Sequence, residues 1–172
     1  SLLSNPTHLE LLSGAHRQAY QRLENTFRKL KPATGLSSIF AQNKRALPWP
    51  LIAPVEVGYG TVRELAYGTR LTNFGLLLKP ASGTPVQSVF DGTVVYADWL
   101  DGYGQLVIVD HGYGYHSLYG HLATVEVQVG QALKTSTTLG TAGDTGSFTG
   151  TRLYFEIRSQ GQAQDPMNWL RR

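Results

Sequence analysis

The sequence predicts a mainly β protein: a compact antiparallel β-sandwich or sheet with a helical segment ahead of it. Three observations predict this. Nineteen of the 172 residues are glycine, which suits turns rather than helices. From Trp49 onward, short apolar and β-branched runs recur between glycine-containing turns, the pattern of short strands. Only the N-terminal region spaces its apolar residues by threes and fours, as a helix with one buried stripe does.

The first element is that helix. Thr7 and Glu10 stand in the T-x-x-E relation of a capping box, and Asn5 ahead of Pro6 is an equally good start. Leu9, Leu12, Ala19, Leu23, Phe27 and Leu30 form one apolar stripe. Glu24 and Arg28 are spaced for an i,i+4 pair, Arg28 and Lys29 suit the C-terminal dipole, and Lys31-Pro32 ends the helix. Such a stripe packs, either on the body or as the last turns of a longer coiled coil. Residues 32–50, with Pro32, Gly35, Pro48 and Pro50, read as a linker containing one short helical turn around Ser37–Asn43. The expected division is therefore an N-terminal helix and linker over 1–47, a candidate regulatory arm, and a β domain over 48–172.

The body follows in order. VQSVF, Asp91-Gly92 and TVVYAD predict a hairpin, because Asp-Gly between strands is the strongest short-range hairpin signal. QLVIVD, His111–Gly114 and YHSLYG predict a second. VEVQV and TLGTAG come next, and GTRLYFEIR is the last long strand, Leu153, Phe155 and Ile157 alternating with Tyr154, Glu156 and Arg158. Paired glycine-rich strands also build biotinyl- and lipoyl-carrier domains. Those need a lysine at a hairpin tip, and neither predicted tip has one.

Composition excludes some functions. Hydrophobic residues at 41% against 16% charged indicate a globular chain rather than a disordered one. No run approaches the roughly 18 apolar residues of a membrane span. The absence of cysteine removes disulfides and Cys-ligated zinc. Residues 1–47 hold seven Lys/Arg against two Glu, leaving eight basic and ten acidic residues for the body. A slightly acidic body is a poor surface for nucleic acid. The chain starts at Ser1, without Met, and is expected to be part of a longer protein.

Four segments, SGTPVQSVFDGTVVYA, DGYGQLVIVDHGYGYHSLYGHL, GTAGDTGSFTG and TRLYFEIR, together resemble the LytM/lysostaphin-type zinc metallopeptidase domain over most of residues 70–160. The resemblance implies a zinc held by a His and an Asp four residues apart and by the second His of an H-x-H strand. Carried onto this chain, the first His falls on Asn73, the Asp on Leu77, and H-x-H on Arg152-Leu153-Tyr154. Only His121, in YGH, matches a catalytic position. Zinc takes His, Asp, Glu or Cys ligands, so neither zinc nor any other cofactor is expected, and the domain reads as catalytically inactive. The other histidines offer no replacement. His116 and His121 have opposite strand parity and are expected on opposite faces, His111 is expected to serve the backbone of a turn, and His8 and His16 lie on the helix.

YFEIRSQGQAQDPMNWL, GTVVYADWLDGYG and SLYG are similar to degenerate members of this family that activate murein hydrolases. That resemblance implies a protein of the Gram-negative periplasm, close to peptidoglycan, with a secretion signal and an upstream coiled coil bound by the FtsX-containing division complex. Its partner would be a periplasmic N-acetylmuramoyl-L-alanine amidase that acts in cell separation. The activator's groove would capture the helix that covers the amidase active site. Position by position, the groove falls on Phe74, Leu77, Tyr103, Leu106, Tyr119, Tyr154 and Arg158. Phe74 departs from the basic residue frequent there. The N-terminal stripe, Leu12, Ala19, Leu23, Phe27 and Leu30, would occupy that groove or brace an arm that does. Two other readings stay open at this stage: a passive peptidoglycan-binding module, and a zinc endopeptidase with atypical ligands.

Overall fold

The computed structural model describes residues 6–33, 39–64 and 70–172, and the side chains of 17–33, 39–62 and 72–172. In chain order these residues form α1 (Pro6–Arg28), β1 (Val55–Val57), β2 (Val62–Glu64), β3 (Arg70–Thr72), β4 (Leu76–Leu78), β5 (Pro85–Gln87), β6 (Gly92–Leu100), β7 (Gly104–Gly112), β8 (Tyr115–Val125), β9 (Ala132–Leu133), β10 (Thr138–Ala142), β11 (Leu153–Ser159) and β12 (Gln162–Gln164). The principal sheet runs β1-β4-β11-β8-β7-β6-β9, and every pairing in it is antiparallel. The far half of β8 also carries β10, which in turn pairs β5. β2 and β3 form a separate ribbon.

Strands β7, β8 and β11 are buried on both faces, and each face has its own apolar cluster. Val107, Val109, Tyr119, Phe155 and Ile157 point into the main core with Val86, Leu139 and Ala142. Their neighbours of opposite parity, Leu106, Ile108, Leu118 and Tyr154, meet Ala19 and Leu23 of α1, with Phe27 and Leu30 packed at the edge. The stripe read from the sequence is thus the buried side of α1 from Ala19 onward. Leu12 lies in the helix, but its side chain is outside the described residues.

Several sequence expectations change. The helix runs from Pro6 to Arg28, ending a turn before Pro32. The body begins before residue 48. Phe40 is fully buried, stacking on His111 and Tyr115, and Leu47 bridges to Leu170 in the same core. Isolated apolar residues in a proline-rich stretch gave no periodicity to reveal this.

The Asp91-Gly92 hairpin is absent. β5 pairs β10 rather than β6, and 88–91 is held by other contacts. Ser88 donates to the Phe90 carbonyl, and Asp91 accepts from both the backbone N–H and the hydroxyl of Thr135. The second Asp-Gly, Asp101-Gly102, joins β6 to β7 instead, with Gly102 at φ +93°. The predicted β7–β8 hairpin forms, but it turns at Tyr113-Gly114, where both residues have positive φ. His111 is therefore within β7.

Candidate functional site

The α1-facing side of the sheet is a shallow trough with a helix lying in it. Leu106 and Ile108 of β7, Leu118 of β8 and Tyr154 of β11 supply its floor. Fully burying a leucine such as Leu23 is worth about 2–3 kcal/mol, so apolar contact alone gives α1 a real hold. Gly102 sets how closely it docks: a Cβ there would fall 2.2 Å from the Ala19 Cβ. At the same end, Tyr20 stacks on Phe74 with ring centroids 4.5 Å apart.

Polar groups lie within this apolar contact. Glu156 and Arg158, alternate residues of β11, are both fully buried. The Arg158 Nε donates to Glu156 Oε1 at 2.8 Å, and the Tyr154 hydroxyl donates to Glu156 Oε2. From the helix, Glu24 Oε1 comes within 2.6 Å of Arg158 Nη1. The guanidinium carbon also lies 4.8 Å from the Phe27 ring centre and 5.9 Å from that of Tyr20, within cation–π range. Burial pushes the Glu156 carboxyl up, while Arg158 and Tyr154 pull it back. Burial works against the charge of Arg158, but the two carboxylates more than offset it and hold the guanidinium above its ordinary range. Burial also drives the hydroxyls of Tyr103 and Tyr154 well above 10, so both stay neutral donors.

Below Phe27, the His116 ring meets it edge-on at 4.7 Å. His116 Nε2 lies 3.7 Å from Asp110 Oδ2, and that oxygen accepts from the backbone N–H of Ala33 just past α1. The C-terminal end of the helix is thereby tied to β7. Burial lowers the His116 pKa below its usual value.

Beside the trough opens a cleft of about 210 Å³, lined by Asn73, Leu77, Tyr103, His121, Tyr154 and Phe148 among others. The carried-over metal positions meet here, but their donors do not fit a zinc. Asn73 uses its amide to donate to the carbonyls of Gly58 and Gly75. Leu77 has no donor atom. Arg152 is held in a two-point pair with Glu56, Nε to Oε1 at 3.0 Å and Nη2 to Oε2 at 2.9 Å. The Tyr154 hydroxyl is turned to Glu156. His121 donates from Nδ1 to the Thr145 carbonyl at 2.8 Å. Among the described residues, no three His, Cys, Asp or Glu side chains are grouped to hold a metal ion.

The structure thus brings Phe74, Leu77, Tyr103, Leu106, Tyr154 and Arg158 to one side of the sheet. Tyr119 is not among them. It is fully buried in the opposite core, where its hydroxyl accepts from Val89 N–H at 3.0 Å; Leu118 takes the α1-facing place. Arg158, assigned to the groove, lies fully buried beneath the helix. Nor do His116 and His121 face opposite ways. A bulge between the Val107↔Tyr119 and Gln105↔Leu122 pairs, with His121 at φ +65°, resets the parity and turns His121 into the cleft. Sequence reasoning missed Glu24, Tyr20 and Glu156. Glu24 was read as a partner for Arg28, and its position one turn from both Tyr20 and Phe27 was the available signal.

A sheet of this topology, with Asn73, Leu77 and Tyr154 brought to one cleft, defines a domain of the zinc-metallopeptidase fold. The chain belongs to peptidase family M23, whose family model matches residues 72–166. It is 40% identical over 124 residues to the murein hydrolase activator EnvC of Escherichia coli (strain K12), an alignment spanning 72% of this chain and 29% of that protein. It is 34% identical over 130 residues to the cell division protein DipM of Caulobacter vibrioides, spanning 75% of this chain and 20% of the relative. Among solved structures, a zinc-containing peptidase from Vibrio cholerae superposes with a TM-score of 0.67 at 27% identity, covering 72% of this chain and 40% of that one. The chain thus spans less than a third of either curated relative.

Proposed function

We propose that this domain is a non-catalytic activator of peptidoglycan hydrolases. It acts in the Gram-negative periplasm on N-acetylmuramoyl-L-alanine amidases, by taking up the helix that covers their active site. The observation that carries this reading is the occupant of the trough. The α1-facing side of β11-β8-β7 holds an amphipathic helix, through Ala19, Leu23 and Phe27 on Tyr103, Leu106, Leu118 and Tyr154. A helix laid in an apolar groove is a familiar recognition mode. The names of the relatives EnvC and DipM, a murein hydrolase activator and a cell division protein, support the same direction.

On this reading α1 keeps the activator off, and an upstream region pulled by the FtsX-containing division complex lifts it. The freed trough then prefers the amidase helix, and the open amidase becomes the populated state. Only a difference in affinity drives such a shift, and going from mostly closed to mostly open takes about 5.5 kcal/mol. The metal positions Asn73, Leu77 and Tyr154, and Arg152 at the first place of the H-x-H strand, have no part in hydrolysis.

The test is dye release from labelled sacculi by the chain alone, by a purified periplasmic amidase alone, and by both. Release only with both, increased by a variant that frees α1, is expected. Release by the chain alone with sensitivity to a chelator would make it an endopeptidase. Co-sedimentation with sacculi and no effect on the amidase would make it a passive wall-binding module.

A further inference from the structure

The contact that closes the trough also shows what must open it. Arg158 is fully buried in β11, and α1 grips it from three positions one helical turn apart. Tyr20 and Phe27 flank the guanidinium and Glu24 meets it between them. The grip is incomplete. Glu156 takes Nε, Glu24 Oε1 lies 2.6 Å from Nη1 without hydrogen-bond geometry, and neither Nη1 nor Nη2 has a hydrogen-bond partner among the described residues. A buried guanidinium with an unfilled donor carries a cost that a better-placed acceptor removes.

We infer that the trough selects its partner helix by a carboxylate. The incoming segment is an acidic amphipathic helix with an Asp or Glu over Arg158, flanked one turn to each side by large apolar or aromatic residues. Two physical points lead there. An apolar helix without the acid would bury Arg158 opposite nothing but Glu156, so the charge contributed by Glu24 would be lost with no replacement. An acid that engages Nη1 and Nη2 together forms the two-point arginine–carboxylate pair that Glu24, close to Nη1 alone, does not make. Glu24 is thus a substitute good enough to hold α1 in place and poor enough to be displaced.

This inference rests on the reading that a partner helix replaces α1, and the test separates the two. The probes are synthetic peptides of residues 6–33: one native, one carrying Glu24→Gln and one carrying Glu24→Lys. The receptor is the full chain with Glu24→Lys, whose own helix no longer competes well. The native peptide is expected to bind at least about tenfold tighter than the Gln peptide, with the amide and guanidinium resonances of Arg158 shifting on binding. Equal affinities for the two would overturn the inference. In a full chain carrying Arg158→Glu, preference for the Lys peptide is expected; if that variant does not fold, the first comparison still decides. Dimers of the native chain at micromolar concentration would make a second copy's α1 the occupant and would also overturn it. A purified periplasmic amidase provides the remaining arm. Capture of the amidase with equal peptide affinities leaves the activator reading standing and removes the carboxylate requirement. Discriminating peptides with no amidase bound do the reverse.

Discussion

Glu24 of α1 and Arg158 of β11 meet at 2.6 Å across the contact between helix and sheet. They are 134 positions apart in sequence and join the two parts of the chain. Arg158 has a second carboxylate at hand in fully buried Glu156. Removing the arginine therefore strands a buried acid. Arg158→Met is expected to cost about 3–5 kcal/mol. The double variant Arg158→Met/Glu156→Leu should recover most of it, because both charges then leave together. Urea denaturation of the native chain and the two variants measures this; a double variant as unstable as the single would contradict it.

Ala19 controls the docking of α1 without belonging to the sheet. It faces Gly102 so closely that not even one extra carbon fits between them. Ala19→Trp is expected to lift the helix while leaving the main core, which α1 does not enter, intact. Hydrogen exchange should show protection lost over residues 19–28 and retained in β7 and β8. Under the proposed function the same variant activates the amidase more strongly. Unchanged protection of α1 would show that this contact does not hold it.

Tyr119 offers the opposite separation. His111 Nδ1 faces the Asp91 carbonyl, which only accepts, so Nδ1 carries the proton. The neutral ring then accepts from Ser117 at Nε2, Ser117 accepts from Tyr119, and Tyr119 accepts from Val89 N–H. Tyr119→Phe breaks this chain at two points and is expected to cost about 1–3 kcal/mol. Binding of helical peptides to the trough should not change, since the residue faces the other core. A large loss of peptide affinity at full stability would return Tyr119 to the groove.

Much of this was legible in the sequence. The stripe of α1 from Ala19 to Leu30 and the alternation of β11 follow from periodicity. The side on which Tyr119 lies does not, because β8 is buried on both faces and alternation between two apolar faces leaves no mark. His121 was misplaced for a different reason. A bulge with positive φ at a histidine has no compositional signature, and one extra residue inverts every parity argument beyond it. The Asp91-Gly92 turn was misread because β5 found β10, a partner distant in sequence, and local turn chemistry cannot exclude that.

Added zinc is expected to leave the thermal midpoint unchanged. A ligand stabilises only by binding the folded state. The three positions that would bind zinc hold an amide engaged with two carbonyls, a leucine and a tyrosine turned to Glu156. A concentration-dependent rise in the midpoint, abolished by a chelator, would contradict this.

His111 gives the fold a pH dependence whose direction follows from its burial. Desolvation lowers its pKa from 6.5 to about 4, with the Asp91 carbonyl opposing. The unfolded chain therefore takes up this proton first as pH falls. The stabilisation is complete above about pH 6.5 and is lost progressively towards pH 4, on the order of 3 kcal/mol in total. His116, also lowered by burial, acts in the same direction. Asp91 is lowered too, through its hydrogen bond from the Thr135 backbone, but as an acid it contributes below that window. Replacing His111 by Gln removes only its own share. The stability difference between native and His111→Gln chains should shrink as pH falls from 7 to 4, since the native chain alone pays to keep that ring neutral. Denaturation midpoints across that range measure it. Two curves that stay parallel would mean that the folded and unfolded chains take up the His111 proton over the same pH range, and at low pH the Nε2–Ser117 and Ser117–Tyr119 hydrogen bonds would then run the other way, with Val89 N–H still donating to Tyr119.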